Sequence, residues 1–398
     1  MKKIYLDNAA TTPTDPSVLN AMLPYFSDKF GNASSVHLFG QEARGAVDNS
    51  RHAIGKFLNC KSTEIIFTSG GSESDNLAIK GVIEASEVNK PHVITSAFEH
   101  HAVLDTIKEL ESDGKIEASY IKPNREGIVE VSNIEAAIKE NTVLVSAMYV
   151  NNEIGTVQPI RSIGQMLEKK NKGRKNRIYF HTDAVQSAEY FDMNVDTLHV
   201  DLLTMSAHKI YGPKGIGLLY IRTGVSIKHQ IVGGGQEYKK RAGTENVAGI
   251  IGFAAAVSVI ASEAKQSQDG IATAPGLAMT RLRDKLIDGL LEIPDSFLNG
   301  SREHRSPANA NISFMNAEGE AILLNLDMED IAASTGSACT SGSLAPSHVL
   351  ISMGKKPQEC HGSIRFTLGR GTTEKEIDRV IEVLPPIIEK LRKMSPFK

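Results

Sequence analysis

The sequence predicts an α/β protein: a large domain on a mostly parallel sheet covered by helices, followed by a smaller α+β domain. Three observations predict this. Short, almost continuously apolar runs recur through the first two thirds of the chain. Helix-like segments separate them. Beyond about Val247 this alternation gives way to a different texture.

EIIFTSG (64–70) reads as a strand closed by a glycine turn. The next segment places Ile79, Val82 and Ile83 at i, i+3 and i+4, the stripe of a helix. HVITS, TVLVSAMYV, RIYFHTD, HVDLLTMSAH and GIGLLYIR follow as further strands. Strands apolar on both faces suit a parallel sheet buried between helices. Crossover segments such as PIRSIGQMLEKKNK supply the cover, with Ile160, Ile163 and Leu167 on one face. After Val247 come an alanine-rich helix, an aperiodic polar stretch KQSQDGIATAPG (265–276), and a further helix. Short strands around NISFMN and SIRFTLG precede a final amphipathic helix in EIDRVIEVLPPIIEKLRKM. The expected division is a large domain over 13–258 and a small one over 259–398, with residues 1–12 at their junction.

Composition narrows the function classes. The 398 residues are 41% hydrophobic and 23% charged with net charge -3, and no basic cluster suggests a nucleic-acid partner. No apolar run approaches the roughly 20 residues of a membrane helix. MKKIYLDNAATTP lacks the look of a signal or transit peptide, so a cytoplasmic protein is expected. Three widely spaced cysteines, Cys60, Cys339 and Cys360, fit a reducing compartment. No metal site is expected; the adjacent His100 and His101 point different ways on any regular element.

In open α/β sheets, ligands lie beyond the carboxyl ends of the strands. Here those ends read TSGGSES, AFEHH, NNEIG, HTDAVQS and SAHK. The glycine turn before Ser72, placed to cap a helix, suits a phosphate. Asp183 suits a protonated ring nitrogen, or equally a helix cap. His100 can stack on a flat ring or sit hydrogen-bonded at a loop edge. Lys209, in SAHKIYGPKG, offers an amine that condenses with an aldehyde, and Lys214 is its weaker rival. Phosphate, ring nitrogen, ring face and aldehyde together describe pyridoxal 5′-phosphate.

The small domain adds ASTGSACTSGSLAP (333–346), where Cys339 lies among small polar residues suited to a nucleophilic thiol. Cys360 is the runner-up, and Cys60 looks structural. In SIRFTLGR, Arg365 alternates away from Ile364, Phe366 and Leu368. It is either a fork for a substrate carboxylate or an ordinary exposed strand arginine. An amino-acid anchor, this cofactor and a thiol suggest sulfur removal from cysteine.

The blocks YLDNAATT, SGGSESDN, EHHAV, NNEIG, HTDAVQS, SAHKIYGPKG, RAGTEN and TGSACTSG together resemble the cysteine desulfurases of the NifS/IscS type, in the fold-type-I aminotransferase superfamily. The long cysteine loop resembles that of the group I branch. The resemblance implies that Lys209 holds pyridoxal 5′-phosphate covalently, that His100 stacks on its ring and shuttles protons, and that Asp183 pairs with the ring nitrogen. Gln186 bonds the phenolic oxygen. Gly71, Ser72, Ser206 and His208 hold the phosphate, joined by Thr244 from the second subunit of a homodimer. Asn152 and Arg365 orient the carboxylate of L-cysteine, and Cys339 takes the sulfur as a persulfide, leaving alanine. An iron–sulfur scaffold protein or another sulfur carrier is the implied acceptor. Other enzymes of the superfamily, a selenocysteine lyase or an aminotransferase, are the alternative. Two departures stand out: relatives often carry Ala-Thr at Gly71-Ser72, and 265–276 looks like an insertion in the small domain.

Overall fold

The computed structural model describes residues 3–266, 275–336 and 346–394. Strand β1 (Ile4–Tyr5) opens the chain. A seven-stranded sheet follows, built from β2 (Ile65–Thr68), β3 (His92–Ser96), β4 (Glu117–Ile121), β5 (Thr142–Ser146), β6 (Tyr179–Asp183), β7 (Leu202–Ser206) and β8 (Gly217–Ile221). Its order is β2-β8-β7-β6-β5-β3-β4. Pairing is parallel from β7 through β4, and β8 is antiparallel to both its neighbours. Six strands therefore point one way and β8 alone points back.

Alternate strand residues enter opposite cores, as the period of two requires. Ile65, Phe67, Leu203, Met205 and Leu218 join one cluster with Val47 and Ile54 of the Leu38–Leu58 helix. Ile66, Leu202 and Leu219 join the other with Ile79, Val82 and Ile83 of the Gly71–Ala85 helix. Both faces are dry, which is why these strands read as unbroken apolar runs. The helical stripe Ile160, Ile163 and Leu167 is buried as well.

A three-stranded antiparallel sheet, β9 (Ser296–Leu298), β10 (Asn309–Phe314) and β12 (Ser363–Thr367), forms the second layer, in the order β12-β10-β9. Ile312, Phe314, Ile364 and Phe366 pack there against the Glu374–Met394 helix, whose Ile377, Val380, Leu384 and Ile388 are buried. That helix continues through Pro385 and Pro386. The Val247–Gln266 helix crosses position 258, and its Val257 and Ile260 belong to the first core.

The N-terminal segment ties the two sheets. β1 runs parallel to β11 (Ile331–Ala332), and Thr367 N–H donates to the Leu6 carbonyl at 2.7 Å. A few residues on, Thr12 N–H and its hydroxyl donate to the His208 carbonyl at 2.9 and 3.0 Å. Most of 265–276 lies outside the described residues, so the expected insertion has no structural account.

A buried ion pair fixes the loop after β8. Arg51 of the Leu38–Leu58 helix forks onto both oxygens of Glu237 at 2.8 Å, with both side chains 3% exposed. Glu237 also accepts the Phe67 N–H, and the guanidinium lies over the Phe67 and Tyr238 rings. Glu237, Tyr238 and Lys239 all have left-handed φ values of 43, 55 and 62°, a conformation that costs non-glycine residues about 1–2 kcal/mol each. The clamp holds them there. Replacing Arg51 with Ala strands the Glu237 carboxylate in the interior and is expected to cost about 3–5 kcal/mol, measured by chemical denaturation.

Candidate active site

At the carboxyl edge of the large sheet lies a cavity of about 410 Å³. The turns after β2, β3, β5, β6 and β7 contribute Gly71 and Ser72, His100, Asn152, Gln186, and His208 and Lys209 respectively; Asp183 and Ser206 are the last residues of β6 and β7. Ala9 and Ala10 of the N-terminal segment and Gly336 and Arg365 of the second layer close it. The predicted residues thus converge, with two exceptions. Thr244 is exposed and lies outside the cavity wall. Cys339 falls outside the described residues, although Gly336, just ahead of it in sequence, lines the cavity.

Lys209 sits in a short 3-10 turn directly after β7. Its Nζ donates to the Ala9 carbonyl and, at 2.8 Å, to the Ala10 carbonyl. The chain must then double back: Tyr211 is left-handed at φ 64°, and a Cβ on Gly212 would lie 2.8 Å from Ala207. Only glycine fits that approach. Lys214 instead donates to the Thr12 carbonyl at 3.0 Å and does not line the cavity.

Asp183 ends β6, 6% exposed, and its Oδ1 accepts the Val185 N–H at 2.9 Å. Burial raises it, while His100, the Val185 N–H and Lys209 pull it back down. Both sequence readings of His100 meet in one geometry. It is the N-cap of the His101–Ser112 helix, its Nδ1 accepting the Ala102 N–H at 3.1 Å, and its ring lines the cavity. Burial lowers its affinity for a proton, with Lys209 adding to the effect and Asp183 opposing it. His208 is pushed down to about 4 by burial and by Lys209 and Lys214, and its Nδ1 meets Thr11 Oγ1 at 3.2 Å.

One expectation needs correction. The Gly71–Ala85 helix starts at Gly71 with Gly70 as N-cap, and no side chain caps it. Ser72 lies inside the first turn, two residues past the cap position. The first-turn N–H groups, which have no intrahelical partners, face the cavity edge together with the positive end of the helix dipole. That arrangement attracts an anion more strongly than a capped end would. A Cβ on Gly71 would come 3.0 Å from Val185 Cγ2, so the wall there is close.

Arg365 is no exposed strand arginine. Its side chain is 3% exposed, donating to the Asn152 carbonyl at 2.9 Å and to Asp7 Oδ1 at 2.8 Å. Its Nε has no partner among the described residues. The two described thiols suit no nucleophilic role: burial pushes Cys60 up to about 12 and Cys360 up to about 11.

Two buried acids went unnoticed in the sequence. Asp75 lines the cavity, and its place three residues after Ser72 and four after Gly71, on one helix face, was the available signal. Glu99, which precedes His100 in the chain, is fully buried; one oxygen accepts from Ser96 Oγ and the Met148 N–H, and the other has no partner among the described residues. Nothing in EHH marks it as buried.

This sheet order, with a lysine at the strand edge beneath an uncapped helix, defines an α/β enzyme of the aminotransferase type. The aminotransferase class-V family matches residues 4–380, and the chain belongs to it. Within it the chain sits among the cysteine desulfurases. It is 48% identical over 399 residues to the cysteine desulfurase IscS of Clostridium botulinum, covering 100% of this chain and 97% of the relative. A solved NifS-like protein superposes with a TM-score of 0.86 at 35% identity, covering 98% of this chain and 99% of that one. A structure described as SspA in complex with cysteine superposes at 0.78, also at 35% identity, covering 92% and 98%.

The raised affinity of Glu99 for its proton sets a pH dependence. Burial lifts it from the ordinary 4.5 to about 8, so between those values the folded protein keeps a proton that the unfolded chain releases. Stability tied to Glu99 is full below pH 4.5 and is lost as pH rises toward 8. Glu99→Gln is expected to remove this loss. Its unfolding free energy should gain on the wild type by up to ~1.4 kcal/mol per pH unit across that window, then level off. Parallel curves from urea titrations would contradict it.

Proposed function

We propose that this enzyme uses pyridoxal 5′-phosphate to take sulfur from L-cysteine, leaving L-alanine and a persulfide on Cys339. The observation that carries the reading is the meeting of Lys209, Asp183 and the uncapped start of the Gly71–Ala85 helix in one cavity. The chemistry of the donors fits that cofactor: an amine for its aldehyde, a buried acid for its ring nitrogen, and open N–H groups with Ser72, Ser206 and His208 for its phosphate. Gln186 is the assigned partner of the phenolic oxygen. When bound, the cofactor supplies an electron sink that loosens bonds at the substrate Cα and Cβ.

The remaining roles belong to this chain. Arg365, already oriented by Asp7 and the Asn152 carbonyl, has a guanidinium edge left to receive the substrate carboxylate. His100, whose affinity for a proton burial lowers and whose Nδ1 is fixed by the Ala102 N–H, presents its ring at the cavity to move a proton at the substrate. The Cys339 thiolate attacks the substrate sulfur: an S–S bond forms and the Cβ–S bond breaks. The electron pair left on Cβ takes a proton, which completes alanine. The proton affinity of the Cys60 and Cys360 thiols, raised by burial, supports Cys339 for this step.

A homodimer is part of the proposal. Phe26, Phe30, Val36, Leu38 and Phe39 are all exposed, and the Phe30 and Phe39 rings lie 5.6 Å apart. Thr244, exposed on the loop that Arg51 anchors, is the residue we assign to the partner's phosphate site. The acceptor is proposed to be an iron–sulfur scaffold or another sulfur carrier. No described helix is long and apolar enough to cross a membrane, and the free Cys60 and Cys360 support a cytosolic setting. The division at 258/259 remains part of the same reading.

Two variants test the reaction. Cys339→Ala is expected to keep the visible cofactor absorption while sulfide release from cysteine falls to background. Lys209→Ala is expected to lose the covalent cofactor band and the activity together. Full activity in the cysteine variant would favour an aminotransferase-like reaction instead.

A further inference from the structure

The cavity contains a carboxyl with no role in the reaction above. Asp75 is 1% exposed, lines the cavity, and its Oδ1 has no hydrogen-bond partner among the described residues. One oxygen of Asp75, one oxygen of Asp183 and one ring nitrogen of His100 lie within 4.8 Å of one another. Two buried carboxyls this close each disfavour the other's ionised form.

The surroundings decide which of the two keeps the charge. Asp183 accepts the Val185 N–H and faces His100 and Lys209, all of which favour its ionised form. Asp75 has only the Thr204 hydroxyl on that side of the balance. Burial first, then the charge of Asp183 and finally Glu99, push it well above the usual carboxylate range. The ionisable groups packed around it are Asp183 and His181 of β6 and Glu99 and His100 ahead of the next helix. His181 Nε2 lies 3.6 Å from Asp75 Oδ1, yet burial pushes His181 down to about 3, and the same nitrogen meets Thr204 Oγ1 at 3.1 Å. No lysine or arginine among the described residues pairs with Asp75.

We propose that Asp75 is a positioning residue: it holds a proton beside Asp183, so the pair carries one negative charge and carries it on Asp183. The inference rests on the pyridoxal-phosphate reading, because that charge faces the place assigned to the ring nitrogen. A second ionised acid would overcharge the site.

The test is infrared spectroscopy of the holoenzyme grown with carboxyl-carbon-13 aspartate. At pH 7 the wild type is expected to show the C=O band of a protonated carboxyl, shifted by the label, and Asp75→Asn is expected to lack it. Because asparagine is also neutral, the pH midpoint of the visible cofactor band should move by less than about one unit in that variant. A coloured wild type without the labelled band overturns the proposal, as does a midpoint displaced by more. Where Asp75→Asn does not fold, Asp75→Ala assigns the band instead: its loss with the cofactor colour kept supports the proposal, and its persistence refutes it. A colourless wild type would overturn the cofactor reading itself, which separates the two failures.

Discussion

Six strands pointing the same way deliver their carboxyl ends to a single edge of the sheet, and the rest of the molecule depends on that constraint. A parallel strand needs a crossover before the next can begin, so helices start where strands stop. Each junction brings a polar turn and a helix N-terminus to the same edge. The cavity is what those turns enclose. Residues 4–12 then close it from the second layer, bonding to β11 and β12 on one side and to His208 and Lys209 on the other.

Within that enclosure, burial sorts the titratable groups by sign. Histidines 181 and 208 are driven toward the neutral form, and Glu99 and Asp75 toward the protonated one. Charge survives where a partner or a donor compensates it. Arg365 is paired with Asp7, and Asp183 draws on the Val185 N–H, His100 and Lys209. The result is a site with few charges, each held in a fixed direction. Preorganised charge of this kind acts strongly because little water competes with it.

Much of this was legible in the residues. The strands with two dry faces announced themselves by unbroken apolar runs, and the groups at their ends marked the cavity. β4 escaped because EASYI lies at the sheet edge, half-buried along its length, and so reads as polar. β9 and β11 are too short to show a period. The uncapped helix was hidden too. Ser72 looks like a cap by type, and only the backbone at Gly70 shows that the helix has already begun.

What the sequence determined alone was the set of chemical groups and the order in which they arrive. Strand and helix periods follow from local geometry and from which side chains avoid water, both of which are written residue by residue. Which groups face each other is a matter of distances between segments far apart in the chain. Lys209 meets Ala9 and Ala10 across about two hundred positions, and Arg365 meets Asp7 across more than three hundred and fifty. The state of Asp75 depends on Asp183, Glu99 and the exclusion of water around all three. Those distances and that dielectric exist only after the sheets have packed, so tertiary structure alone decided them.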